Sequence, residues 1–461
     1  MYDKIFFVNL KYIFMYLPDG PKTSPLLQNI QFLLRPLETL DAWSEDYGSV
    51  FRLRGNELPA LIYFSSPEAI QKIFTSSPED LSSIQNSDFV KLLLGENSII
   101  FLGNERHQHQ RRMLLPPFHS ERMRLYSQVI CEITEEVISQ LTPGKFFVVH
   151  SVMKEISLRV ILNVVFGLQT GKYYNKLRQM LNSLFELFDN PLSSIFMLLF
   201  SRVQKDWGIW SPQANLMHQI EQLDQVVYTL IAERAIQNNS PYKDILSMLM
   251  EAQDEFGKSM TDIELRDCLL TLIFAGYETT ASAISWALYW SHYLPEVQRS
   301  LLYELNCFAS TKDKSEISRL PYLSAVCSET LRLYPIALNA FTRVVQKPME
   351  IGGYQLEPQT IVNVSIYLAH QRKEVYPEPK RFNPERFLER QFSPYEYLPF
   401  GGGNHRCVGA ALAQLEIKLV LATMLSHLKL RLITTSPIKP IRRGILMVPP
   451  SNFEMVVTGV R

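Results

Sequence analysis

The run Phe400-Gly401-Gly402-Gly403-Asn404-His405-Arg406-Cys407-Val408-Gly409 sets one cysteine among four glycines, ahead of an apolar stretch. Consecutive glycines enter positive-φ conformations that other residues resist, so such a loop can turn several N–H groups toward one sulfur. Backbone donors stabilise a thiolate, and a stabilised thiolate is a permanent metal ligand. One use of such a ligand is the axial position of a haem iron, where it pushes electron density toward O–O cleavage. A lone cysteine beside a turn is ordinarily a small buried apolar side chain. The glycine cluster, with His405 and Arg406 at hand for anionic groups, favours the haem.

A second chemical stretch is Ala275-Gly276-Tyr277-Glu278-Thr279-Thr280, inside the apolar run from Leu269 to Leu294. Apolar nearly all round, that run predicts a long buried helix stopped by Pro295. Glycine in mid-helix costs about 1 kcal/mol relative to alanine, and a buried carboxylate costs more unless paired or protonated. Two such choices together suggest a task beyond folding; a packing glycine and a glutamate reaching a neighbouring segment are the plainer reading. Glu329 and Arg332 are three apart, so on a helix they share a face and can pair. Taken alone, that is an ordinary surface ion pair. His107 and Arg111 are four apart and make a cationic helix face suited to carboxylates, where a solvated basic face is the plainer reading.

The cysteine loop resembles, at every position, the signature of the cytochrome P-450 superfamily, Phe-x-x-Gly-x-x-x-Cys-x-Gly. The resemblance implies haem b with Cys407 as its thiolate ligand and His405 as a partner of a haem propionate. It also implies Phe400 and Gly401 around the sulfur, and a helix passing close to the porphyrin at Gly409. Glu329 and Arg332, with Arg386 of Pro384-Glu385-Arg386-Phe387, look like the family's structural Glu-Arg-Arg triad. Ala275 to Thr280 looks like the oxygen-activation segment: Gly276 would make room for dioxygen, Thr279 would hydrogen-bond it and Glu278 would help relay protons. His107 and Arg111 stand where the family often has Trp-x-x-x-Arg, and with Arg343 would meet the propionates. The implied architecture is mainly α with a small β region (α+β): a single large helical domain, with haem between the long central helix and the helix after the cysteine loop.

Composition agrees with that architecture without having led to it. A chain of 461 residues suggests about three domains by length, yet no Gly/Ser tract, charge run or repeat divides it. We expect an apolar N-terminal segment over 1–17 and a catalytic domain over 18–461. Short strands are expected at Val50 to Leu53, Leu61 to Phe64, Thr360 to Tyr367 and Ile445 to Val448. Net charge is zero, so nothing points to nucleic acid. Five scattered cysteines without a C-x-x-C pair argue against zinc or iron–sulfur ligation and suit a reducing, cytoplasmic setting. Ile5 to Leu17 is aromatic and apolar but broken by Asn9 and Lys11, too short to span a bilayer, so membrane contact is at most peripheral.

The resemblance implies a monooxygenase that takes two electrons and two protons per dioxygen, the protons passing Thr279 and Glu278. One oxygen atom enters an unactivated C–H bond and the other leaves as water. No flavin or iron–sulfur module is apparent, so the expected donor is a separate ferredoxin or flavodoxin with its NAD(P)H reductase; Arg111, Arg112, Arg122 and Arg124 are candidates for docking it, on an expected monomer. Ile99, Ile100, Leu338, Ala340 and Phe341 are expected to line the substrate pocket, and the apolar stretch Leu184 to Trp210 to cover its access. The sequence is similar to cyanobacterial members related to fatty-acid and alkane hydroxylases, so a long-chain fatty acid, alkane or terpenoid is expected, with Arg202 or Lys205 available to a carboxylate. A hydroperoxide isomerase or peroxygenase of the same fold, or a haem sensor without catalysis, would not need the Glu278-Thr279 pair.

Overall fold

A computed structural model describes residues 17–53, 61–83, 88–189, 212–236, 244–308, 313–434 and 436–461. Seven helices carry the argument and are numbered in chain order: α1, Pro25–Leu34; α2, Asn104–Leu114; α3, Ser120–Ile138; α4, Val149–Phe166; α5, Asp262–Tyr293; α6, Pro321–Leu333; and α7, Ala410–His427. The fold is mainly α with small β-sheets. The chain forms two compact units interleaved in sequence, Met1–Gln85 with Leu331–Cys407, and Asn86–Thr330 with Val408–Arg461.

The first unit is built on a five-stranded sheet in the order Val50–Leu53, Leu61–Phe64, Ile361–Val364, Arg343–Val345, Leu81–Ser83. Leu61–Phe64 and Ile361–Val364 run parallel, and the other pairings are antiparallel. Ile62, Phe64, Val345, Val362 and Val364 bury one face of the sheet against Ile70 and Ile73 of the helix Pro67–Thr75. The strand expected to reach Tyr367 stops at Val364, because the Ser365 hydroxyl accepts the Leu368 N–H and caps a helix over Ile366–His370. The expected strand at Ile445 to Val448 is observed one residue shorter, Leu446–Val448.

In the second unit α5 packs along α4, and α7 packs on both α3 and α5. The long helix begins at Asp262, seven residues before the apolar run. Thr261 and Glu264 form a capping box there, with reciprocal bonds of 3.3 and 2.9 Å. Pro295 ends the helix as expected and opens the next one, Pro295–Cys307. Trp286 is fully buried, edge-on to Tyr289 and stacked on Phe453 of the strand Glu454–Val460's approach. That strand pairs with both Phe146–Val148 and Leu428–Leu432. The helix α5 is long and apolar enough to cross a membrane, yet it is a buried core helix of this unit.

Candidate active site

The first unit ends on the cysteine loop. Gly401 and Gly403 sit at φ +67° and +62°, where glycine alone is unstrained. A Cβ at Gly402 would lie 2.3 Å from the Phe74 ring, and one at Gly403 would lie 2.6 Å from the Phe74 carbonyl oxygen. Those two glycines are therefore required by the helix Pro67–Thr75. At Gly409 an added Cβ would meet no atom within 4 Å, so the protein itself makes no demand for glycine there. The Cys407 N–H donates to the Phe400 carbonyl at 3.0 Å and the Gly401 N–H to the Leu398 carbonyl at 2.9 Å. The Leu398 N–H in turn donates to Nε2 of the fully buried His370 at 2.9 Å. Burial, and then the Arg332 cation, hold that imidazole down to about 3, so it accepts as a neutral ring. Cys407 is exposed, whereas Cys131, Cys268 and Cys327 are buried and burial raises their thiol pKa values.

The arginines of the expected triad meet. Arg332 and Arg386 are both buried, both point at the Tyr376 ring (5.0 and 5.9 Å to its centroid), and both donate to the Arg381 carbonyl, at 3.3 and 3.5 Å. Arg332 also donates to the His370 carbonyl at 2.8 Å. Glu329 is fully buried one turn before Arg332 on α6. Two guanidinium groups in so small a space cannot be held without compensation from carbonyl dipoles and a carboxylate.

Arg343 opens the strand Arg343–Val345, is 6% exposed, and donates to the Ser83 hydroxyl at 3.0 Å. No carboxylate among the described residues pairs with it. Burial lowers its pKa to about 10, which leaves it charged at neutral pH. The Phe341 ring stands edge-on to His405, 5.8 Å between centroids, and is partly exposed. Leu338 is buried and Ala340 donates its N–H to the Val364 carbonyl, so this expected lining segment is strung along the sheet.

In the second unit, the Thr279 hydroxyl donates to the Ala275 carbonyl one turn back, at 2.6 Å. Gly276 faces Ile161 of α4, where a Cβ would come within 3.1 Å of the side chain; the plainer expectation of a packing glycine thus has a physical basis. Glu278 is buried and reaches three groups: His150 Nε2 at 3.3 Å, Lys154 Nζ at 3.4 Å and an Arg443 nitrogen at 3.5 Å. Burial, then Lys154 and Arg443, hold the His150 imidazole down to about 3, so it stands beside Glu278 as a neutral ring and not as a cation, its Nε2 also 3.2 Å from the Ser282 hydroxyl. Sequence reading missed all three partners. His150 and Lys154 are four apart on one helix face, but nothing in the spacing says which carboxylate they serve.

On α2, His107 is buried and Arg111 half-buried on the shared face. Ile99 is buried and Ile100 half-buried in the turn before that helix. Of the expected docking cations, Arg112 pairs with Glu255 at 3.4 Å and Arg124 with Asp313 at 3.1 Å, which reduces the positive field they can offer a partner. The stretch 190–211, with Arg202 and Lys205, lies outside the described residues, as do residues 1–16.

The sequence matches the family model Cytochrome P450 over residues 18–457. The chain belongs to the cytochrome P-450 family. Cytochrome P-450 135B1 of Mycobacterium tuberculosis is 33% identical over 448 residues, covering 97% of this chain and 92% of the relative. Cytochrome P-450 135A1 of the same organism is 31% identical, over 95% and 94% of the two chains. Cyanobacterial CYP120A1, solved with retinoic acid bound, shares the fold with a TM-score of 0.80 at 21% identity, over 97% of this chain and 100% of that one. As a member of the family the protein is a monooxygenase that carries haem b on a cysteine thiolate. The residues present fit such a group. The loop offers an exposed cysteine beside a glycine that the protein itself does not require, and Arg343 is a buried cation with no carboxylate paired to it among the described residues.

Proposed function

We propose that this cytochrome P-450 hydroxylates a long, lipophilic substrate, namely a fatty acid, alkane or terpenoid, using electrons from a separate ferredoxin or flavodoxin. The observation that carries the substrate class is the character of the expected lining: Ile99, Ile100, Leu338, Ala340 and Phe341 include no ionisable group. Retinoic acid, bound by the structural neighbour CYP120A1, is a long apolar carboxylic acid of the same class.

Bound haem supplies dioxygen activation, and the chain's residues do the rest. Cys407 ligates the iron, while Arg343, His107, Arg111 and His405 hold the propionates. Glu329, Arg332 and Arg386 brace the segment that leads into the cysteine loop. The Thr279 hydroxyl has one proton, now donated to Ala275, so it must rotate to offer that proton to a ligand beside α5. The Glu278 carboxylate can take up a proton from water and pass it toward Thr279 only if it leaves His150, Lys154 and Arg443 in turn.

Peripheral membrane contact fits the same substrate class. On α1 the side chains of Leu26, Leu27, Ile30, Leu33 and Leu34 are all exposed, Leu34 by 73%, and they recur at helical spacing along one stripe. Exposed Lys22 and Arg35 flank the helix, as suits an interfacial helix on anionic lipid.

The test is reconstitution with reduced ferredoxin, its reductase and NAD(P)H, after spin-state titration with dodecanoate, hexadecane, retinoic acid and a polar amine. Spin-state shifts with the first three and hydroxylated products are expected. A shift with the amine alone would overturn the substrate reading. Turnover with peroxide but not with ferredoxin would replace the monooxygenase route by a peroxygenase one.

A further inference from the structure

The turn that carries Ile99 and Ile100 is bonded to α5 far more heavily than a mobile surface loop would be. The Asp267 carboxylate, 2% exposed, accepts from the Asn97 backbone N–H and from the Asn97 side-chain amide, both at 3.0 Å, while Arg266 donates to its other oxygen at 2.9 Å. Arg266 is itself held by Asp224. The remaining polar atoms of Asn97 are also engaged: its side-chain oxygen accepts from Arg106 at 3.1 Å and its carbonyl from Gln110 at 2.6 Å. One residue on, the fully buried Ser98 hydroxyl meets Thr271 at 2.7 Å. Gly95, at φ +83°, has no room for a side chain, because a Cβ would lie 2.0 Å from the Asp267 carboxylate.

Asn97 thus joins three pieces of the second unit: the turn before α2, the α2 face that also carries His107 and Arg111, and α5 eight residues before the Ala275–Thr280 segment begins. We propose that Asn97 and Asp267 form a latch that fixes Ile99 and Ile100 on α5 and thereby sets which substrates fit. They are positioning residues, acting through the isoleucines. The proposal rests on the reading that those isoleucines line the pocket. A buried carboxylate that accepts three hydrogen bonds is costly to open, so the latched turn is a fixed wall. Substrates are then selected by fit to that wall, and releasing it should let poorer fits in.

The experiment uses the haem-loaded, full-length protein. Three variants are compared with the parent: Asn97→Asp, which sets two carboxylates against each other; Ile100→Ala, which trims the wall; and the exchanged pair Asn97→Asp with Asp267→Asn, which restores a donor facing an acceptor. Two readouts are taken, amide hydrogen exchange at residues 95–101 and the ratio of spin-state dissociation constants for dodecanoate and retinoic acid. In Asn97→Asp, exchange should rise by roughly tenfold or more and the ratio should move at least fivefold toward unity, with the spectrum of the reduced carbon monoxide complex unchanged. The exchanged pair should recover both. Unchanged exchange in Asn97→Asp would overturn the latch. So would raised exchange with an unchanged ratio, if Ile100→Ala alone moves the ratio. If neither variant moves the ratio, the pocket-lining reading falls and the specificity role falls with it, while the exchange data still report whether the turn was latched. Should Asn97→Asp not fold, Asn97→Ala gives the same readouts through loss of the donor.

Discussion

At the scale of single residues, the arrangement divides the polar groups by how much freedom each retains. Among the described residues the Thr279 hydroxyl is tied to a carbonyl of its own helix alone, at 2.6 Å, so it can rotate at the expense of one neutral hydrogen bond, about 1 kcal/mol. Thr279→Ala removes the only side-chain proton at that position. We expect that variant to keep its substrate-induced spin shift but to release most of its electrons as hydrogen peroxide, with Thr279→Ser close to the parent. Full coupling of electrons to product in Thr279→Ala, measured as product formed per NAD(P)H, would remove Thr279 from the proton route. Arg343 presents the opposite case, a cation without room to leave. Arg343→Leu should lower haem retention several-fold during gel filtration at neutral pH, because one anionic group of the cofactor loses its buried partner. Unaltered retention would place the propionates elsewhere.

Among the elements, the long helix and the cysteine loop were legible because each carries its own local demand. The glycine loop announces positive φ, and a 26-residue apolar run from Leu269 to Leu294 reads as a buried helix. Its true start at Asp262 was also written locally, in Thr261 and Glu264. The groups around Glu278 were not legible. His150, Lys154 and Arg443 come from α4 and from the strand Ile441–Arg443, and only the packing of those elements brings their side chains to one carboxylate. The Asn97–Asp267 bonds span 170 residues of sequence for the same reason. A further buried acid, Glu416 on α7, shows what packing does to a titrating group. It lies against Ser157 of α4, and burial lifts its pKa from 4.5 to about 8. Between those two values the native state holds a proton that the unfolded chain releases, so stability falls as pH rises through this window and the loss is complete above about 8. Glu416→Gln should therefore melt higher than the parent at pH 9 and converge with it below pH 4.5. An equal difference in Tm at both pH values would show that folding does not raise the Glu416 pKa.

For the whole molecule, the family assignment covers almost the full chain; of the expected site residues, Cys407, His405, Arg343 and Phe341 belong to the first unit, and Thr279, Glu278, His107 and Ile99 to the second. Chemistry carried by one segment can be read from that segment, whereas the surface that a partner meets depends on how elements pack. Arg124, one of the expected docking cations, lies 3.1 Å from Asp313, a pairing that its spacing in the sequence does not show. Besides the expected apolar segment over 1–17, most of which lies outside the described residues, an exposed aliphatic stripe lies on α1. Leu26→Ser with Leu33→Ser should abolish co-sedimentation with vesicles of mixed neutral and anionic phospholipid; undiminished binding would remove α1 from the lipid contact. Over all of this stands the claim that Cys407 carries the haem as a thiolate. The most direct measurement is the absorption spectrum of the reduced, carbon monoxide-bound protein beside that of Cys407→His. The account predicts the long-wavelength Soret band of thiolate ligation in the parent and its loss in the variant. A parent that is folded and haem-loaded yet lacks that band would contradict it.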